Sequence, residues 1–205
     1  MTVTQIEPIS SAKSAVWIDG EFAFVLYKGE LRNYRLEENE EITTAVYEEI
    51  IGSLLPKRAK LRCMNLLQER SYTRKQLQDK LKQAGYSEGI IEQALAYMES
   101  FGYVDDAAYA KSYVEDYLER KSLRKISEEL ARKGISREII EDAIAFVEER
   151  DGASDEETMI RELLIKKKYD AETADYKEKN RIQAFLFRKG FSPDKIRKVM
   201  NCDEF

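Results

Sequence analysis

Tyr109, Tyr113 and Tyr117 recur at four-residue intervals, directly behind the acidic pair Asp105-Asp106 and ahead of the basic run "RKSLRK" at 120–125. Residues four apart share one face of a helix, so three phenol rings line up between carboxylates and cations. The chemistry open to such a set is non-covalent: aromatic contact, hydrogen bonding and ion pairing with a partner. Arg132 and Lys133 extend the basic side, which makes Asp105, Asp106, Tyr109, Tyr113, Arg120, Lys121, Arg124, Lys125, Arg132 and Lys133 the candidate partner-binding residues.

Covalent chemistry has little to work with. The 205 residues include no histidine, which excludes histidine-based triads, the common zinc hydrolase sites and the usual neutral-pH proton shuttle. No phosphate-cradling GxxxxGK[ST] loop, GxGxxG turn or GxSxG elbow occurs. Cys63 and Cys202 stand far apart and far from metal-ligand spacing, as two idle thiols. No catalytic residue, metal or cofactor is expected, and the chain is read as a binder, not an enzyme.

Charged residues make up 36% of the chain and only nine glycines and three prolines interrupt it, a composition that favours helices. The expected fold is mainly α, with tandem three-helix repeats in an elongated array preceded by a small antiparallel β meander. The opening residues lack a secretory pattern and no stretch approaches the roughly 18 apolar residues of a membrane span, so a cytoplasmic location is expected.

The repeats are legible in three near-copies: "LKQAGYSEGIIEQAL" from Leu81, "LARKGISREIIEDAI" from Leu130 and "LFRKGFSPDKIRKVM" from Leu186. In each, glycine stops one helix and serine caps the next, with an apolar residue (Tyr86, Ile135, Phe191) between them. Thr73 with Gln76 and Ser154 with Glu157 read as capping boxes, and Ser122 caps the middle helix of the second unit. The glycines are 49 and 56 residues apart. The units are placed at 41–101 with a linker helix, 102–152, and a divergent 153–205, after an extension at 1–40.

That extension has another period. Val16, Ile18, Phe22, Phe24 and Leu26 alternate about an Asp19-Gly20 turn, and Lys28-Gly29 reads as a second turn before Leu31–Arg35, which makes a small meander of two or three strands. Trp17 and the apolar face are expected to pack on a helix or partner. From Glu41 the spacing of Ile42, Val46 and Ile50 is helical, with a break or kink at Gly52 and Pro56.

Residues 1–55 carry a net charge of −6 and the remainder +1. Within that balanced body lie "KRAKLR" at 57–62, "RKSLRK" at 120–125, Arg132-Lys133, "KKK" at 166–168 and Arg188-Lys189. Several of these cations fall at helix ends, where they complement the backbone dipole. Should some converge on one face they could contact phosphates, yet a pI near 5.2 fits a protein partner better than affinity based chiefly on basic surface.

"GYVDDAAYAKSYVEDYL" followed by "ISEELARKGIS" resembles the signature of the RecX family, bacterial regulators of the recombinase RecA. "LQERSYTRKQLQDKLKQAGYSEGIIEQAL" resembles that family's first repeat, while "WIDGEFAF" and "YRLEENEEI" are similar to the N-terminal extension of its longer members. Ala108 stands where many relatives have Arg. The resemblance implies a monomeric, non-enzymatic modulator that lies in the groove of the RecA–single-stranded DNA filament and opposes its extension, ATPase and strand exchange. From the residues themselves, a helical-repeat array binding single- or double-stranded DNA without RecA is the alternative.

Overall fold

A computed structural model describes residues 1–151 and 155–200. Strands β1 (Val3–Pro8), β2 (Lys13–Ile18) and β3 (Glu21–Tyr27) form an antiparallel sheet in the order β1-β2-β3. Helices follow: α1 (Lys28–Asn33), α2 (Thr44–Glu49), α3 (Leu55–Glu69), α4 (Arg74–Gln83), α5 (Glu88–Ser100), α6 (Asp106–Tyr117), α7 (Leu123–Arg132), α8 (Arg137–Asp151), α9 (Glu156–Lys166), α10 (Tyr176–Arg188) and α11 (Pro193–Met200). Two compact units divide them, Met1–Asp105 and Asp106–Phe205.

The sheet differs from expectation in membership. Leu31–Arg35 is not a strand, because Lys28–Asn33 turns into α1, where the Glu30 carboxylate accepts from the Tyr27 amide at 2.7 Å and opens the helix. The third strand precedes the hairpin: β1 pairs with β2, and Val3 on its outer edge exchanges backbone bonds with Asn39 and Glu40, while the Ile42 amide donates to Met1 just before it. The Asp19-Gly20 turn has φ of 50° and 86°, the two positive values of a tight hairpin turn. One residue breaks the expected alternation. A bulge at Val16/Trp17 pairs Val16 with Phe24 but Trp17 with Phe22, leaving Ala23 extra. Phe24 and Leu26 are therefore fully buried in the helical core, while Phe22 stays 50% exposed with its ring edge-on to Trp17 at 5.7 Å.

Thr43 caps α2 through the Val46 amide. No break follows. Pro56 has no N–H to offer Gly52, and the chain accommodates it with one π turn, Ile50–Leu54, that carries α2 into α3. The first unit is then tied together by Arg58. Its guanidinium donates to the Val25 carbonyl at 2.5 Å, the Glu30 carboxylate at 2.6 Å and the Tyr86 hydroxyl at 3.1 Å, linking β3, α1 and the α4–α5 corner. The rings of Tyr27 and Tyr86 also lie against it.

The three glycine corners share one geometry. Gly85, Gly134 and Gly190 have φ of 84°, 88° and 96°. Each donates to the carbonyl three residues back, and the next amide (Tyr86, Ile135, Phe191) reaches the carbonyl of Leu81, Leu130 or Leu186. This paired bonding satisfies carbonyls that a helix end otherwise exposes. Thr73 forms the expected box with Gln76, and the hydroxyls of Ser122, Ser136 and Ser192 accept from amides three residues on. Ser87 holds the cap position without such a bond. Ser154 lies outside the described residues, and Asp155 is the residue that caps α9. Cys202 also lies outside them.

Two of the corners are seats as well as stops. A side chain on Gly85 would overlap Val25 Cγ2, and one on Gly190 would overlap Ser122 Oγ and Lys125 Cβ. In the second unit the middle triplet has its own core (Ala110, Val114, Ile126, Leu130, Ile140, Val147) and the last triplet another (Ile160, Leu164, Leu186, Phe191, Ile196, Val199). Gly190 is a point at which the two meet.

The end of α9 repeats the corner without glycine. Lys168 takes φ of 53° and donates to Ile165, while Tyr169 donates to Leu164. A residue with a Cβ pays roughly 1–2 kcal/mol for that conformation. Lys168→Gly should therefore raise stability by about 0.5–1 kcal/mol after its greater unfolded-state entropy is deducted, whereas Gly190→Ala should lower it by about 1–3 kcal/mol. Urea unfolding of the full chain measures both.

Candidate functional site

The α6–α7 pair carries most of the candidate residues. Ser122 is fully buried, and its hydroxyl starts α7 by accepting from the Lys125 amide at 3.3 Å. Ile126 and Leu130 face the core, which leaves Arg124 and Glu128 outward and Lys121, Lys125 and Glu129 half-covered. On α6, Ala110 and Val114 are buried and the tyrosines flank them.

The three phenols do share a face. Tyr109 and Tyr113 stack at 6.3 Å with 13° between planes, and Tyr113 and Tyr117 lie 4.5 Å apart. Tyr113 donates its hydroxyl to Glu129 at 2.5 Å, and Lys121 donates to the same carboxylate oxygen at 2.6 Å. The Lys121 ammonium also sits 3.9 Å from the centre of the Tyr117 ring, and Lys133 lies 5.6 Å and 5.5 Å from Tyr109 and Tyr113. Two lysines from the two ends of α7 thus bracket a tyrosine ladder, each gaining from the negative face of the rings.

These contacts set the protonation states. Burial, then the hydrogen bond to Glu129 and that carboxylate's charge, push the Tyr113 phenol well above its ordinary range. It is a donor at neutral pH and not a base. Burial alone would raise the Glu129 carboxyl, but the bonds from Lys121 and Tyr113 outweigh it and hold the group below its usual value. In the first unit burial pushes the Cys63 thiol up to about 11, so it is not a nucleophile at neutral pH. Among the described residues no group of three or more His, Cys, Asp and Glu could hold a metal ion. No described helix is long and apolar enough to cross a membrane.

The other candidates are more dispersed. Asp105 closes the first compact unit and Asp106 opens α6. Arg124 lies 3.9 Å from Glu128 and donates to the Gly190 carbonyl at 3.3 Å. Arg124 and Lys125 occupy the first turn of α7, the positive end of its dipole, so dipole complementarity does not explain them; Arg132 and Lys133, at the other end, do obey it. Arg120 is exposed in the turn before α7, and Arg132 makes no ion pair among the described residues. Lys167 and Lys189 were not among the candidates. They come from the runs "KKK" and "RK", and Phe185 carries both, with ammonium groups 5.0 Å and 5.6 Å from its ring centre. Nothing in their local sequence says that Lys189 comes close enough to feel Arg120 and Lys121.

The repeated corner, the tyrosine ladder and the basic turn meet a common pattern. Residues 59–98, 105–144 and 155–200 match the family models described as the first, second and third three-helix domains of RecX. The chain belongs to the RecX family. It is 33% identical over 203 residues to regulatory protein RecX of Caldanaerobacter subterraneus subsp. tengcongensis, covering 98% of this chain and 99% of that one. RecX of Clostridium beijerinckii is 28% identical over 214 residues, covering 99% and 97%. A crystal structure of regulatory protein RecX superposes with a TM-score of 0.57 at 23% identity, covering 97% of this chain and 98% of that one. RecX from Lactobacillus salivarius gives a TM-score of 0.53 at 25% identity, covering 72% and 96%. The RecX three-helix domain is thus the unit whose corner recurs here, and the α6–α7 ladder lies in its second copy.

Losing the negative charge of Glu129 while keeping its shape should leave Lys121 half-covered and without its counter-ion. Glu129→Gln is expected to destabilise by about 1–2 kcal/mol, and Tyr113→Phe by about 1 kcal/mol, with less than additive loss in the double variant. Because the folded carboxyl titrates below the unfolded one, this stabilisation is complete above the unfolded value and fades as pH falls through the folded value. Denaturant midpoints at neutral pH and at pH about 3–4 test this: the difference between parent and Glu129→Gln should shrink on acidification.

Proposed function

We propose that this RecX-family protein binds the RecA–single-stranded DNA filament and opposes its extension, ATP hydrolysis and strand exchange, acting in the cytoplasm as a non-enzymatic regulator. The observation that carries this is the match of three successive three-helix domains to RecX, with the relatives named regulatory proteins. RecA is the partner because the resemblance in the α6–α7 region is to regulators of that recombinase. Tandem modules on one chain bind a repeating partner with an effective concentration that reinforces each contact after the first. The half-buried Tyr113–Glu129–Lys121 group and the exposed Arg120, Arg124 and Arg132 offer the mixed polar, aromatic and cationic surface that suits a protein groove.

Purified protein added to RecA on single-stranded DNA should slow ATP hydrolysis and shorten filaments at well below one copy per RecA protomer. Replacing Arg124, Lys125, Arg132 and Lys133 together with alanine should weaken that inhibition while the helical circular dichroism persists. Unchanged hydrolysis and filament length at a saturating ratio would overturn the proposal, and undiminished inhibition by the fourfold variant would remove these residues from the contact.

A further inference from the structure

Three basic runs separated in sequence meet at the junction of the second and third triplets. The Ser122 amide donates to the Lys189 carbonyl at 3.0 Å, and Gly190 packs so closely on Ser122 and Lys125 that no side chain fits between them. This brings the end of α10 against the α6–α7 turn, which carries Arg120 and Lys121. Lys167, just after α9, shares the Phe185 ring with Lys189.

The charge balance there is one-sided. Lys121 is paired with Glu129, but among the described residues neither Arg120, Lys167 nor Lys189 lies within ion-pair distance of a carboxylate. Glu129 already accepts from both Lys121 and Tyr113. Lys189 is half-buried, and its burial, then Lys121 and Arg120, hold its ammonium below the ordinary value even though the Glu129 carboxylate acts the other way. Gathering like charges where water is partly excluded opposes folding unless an anion completes the set.

We infer that Arg120, Lys121, Lys167 and Lys189 form a phosphate seat, shared by the second and third triplets, that takes the backbone of single-stranded DNA. Arg120 and Lys167 are the exposed rims and Lys189 the half-buried floor, with Lys121 oriented by Tyr117 and Glu129. The anion supplies the counter-charge that the junction lacks, so its binding also fastens the third triplet to the second. This deepens the filament proposal by naming its DNA contact, and rests on that proposal only in taking DNA as the source of phosphate. A low overall pI is no obstacle, because within a Debye length of about 8–10 Å the local charges dominate.

Binding of a fluorescent oligothymidylate to the full chain, without RecA, is measured by anisotropy between ~50 and ~200 mM salt, where phosphate contacts weaken steeply. Lys167→Gln/Lys189→Gln should bind at least about tenfold more weakly at the lower salt, with the salt slope reduced by about 1.4, the share of two single-strand phosphate contacts. Lys177→Gln, an exposed cation elsewhere on α10, should bind like the parent. Oligothymidylate should raise the Tm of the parent more than that of the double variant. Parental affinity and slope in the double variant, or an equal loss in Lys177→Gln, would overturn the site. If the double variant does not fold, exposed Lys167→Gln alone should show about half the slope loss, and none would overturn it. Inorganic phosphate or pyrophosphate that displaces the oligomer at equal phosphate concentration would reassign the seat to small anions and overturn the DNA reading. Since RecA is absent, failure here leaves ATPase inhibition standing, and failure of inhibition leaves this result standing.

Discussion

A helix that must end and hand over to another within two residues has unpaired carbonyls to satisfy and a sharp change of direction to make. A glycine at positive φ does both, and the residue after it turns back over the leucine that began the last turn. Gly85, Gly134 and Gly190 meet this requirement with the same pair of hydrogen bonds, and Leu81 with Tyr86, Leu130 with Ile135 and Leu186 with Phe191 each belong to one core. Every triplet packs around that corner. The same conformation at Lys168, without glycine, shows that the demand comes from the chain path and not from the residue.

The absent side chain is used twice over. At Gly85 its place is taken by Val25 of the sheet, so the extension is anchored on the first triplet, with Arg58 fastening the same corner from the other side. At Gly190 the place is taken by Ser122 and Lys125, so the third triplet is anchored on the second. The first junction is neutralised by Glu30, which meets Arg58 at 2.6 Å. At the second, no carboxylate among the described residues lies within ion-pair distance of Lys189, and Glu129, which acts on it from farther away, is already bonded to Lys121 and Tyr113. That asymmetry separates a structural contact from one suited to an outside anion.

Much of this was readable from local rules. Helix starts at Thr73, Ser122, Ser136 and Ser192 and stops at the three glycines follow from capping chemistry, which acts over four or five residues. The tyrosine face followed from a four-residue period. The errors have physical causes of longer reach. Leu31–Arg35 alternates weakly enough to pass for a strand, but a Glu30 cap decides for helix, and the sheet recruits Val3–Pro8 because a free edge of β2 was available to it. Phe22 lies on the unexpected side because one extra residue in a ladder reverses everything beyond it, and a bulge leaves no mark in hydropathy. At Gly52 and Pro56 the expected irregularity is present as one π turn, but the helix does not end, since Val46 and Tyr47 of α2 pack on the same core as α3.

By itself the sequence determined the period, the corners and the absence of histidine chemistry, because each is a property of residue type at short range. The repeats and the "GYVDDAAYAKSYVEDYL" stretch also determined the family. Tertiary structure decided which charges meet. Lys121 finds Glu129 eight residues on, Arg58 finds Tyr86 after twenty-eight, and Arg120, Lys121 and Lys167 act on Lys189 because the third triplet packs against the second. Local composition cannot report such convergence, because electrostatic contact depends on distance in space, and that distance is set by the close packing at Gly190.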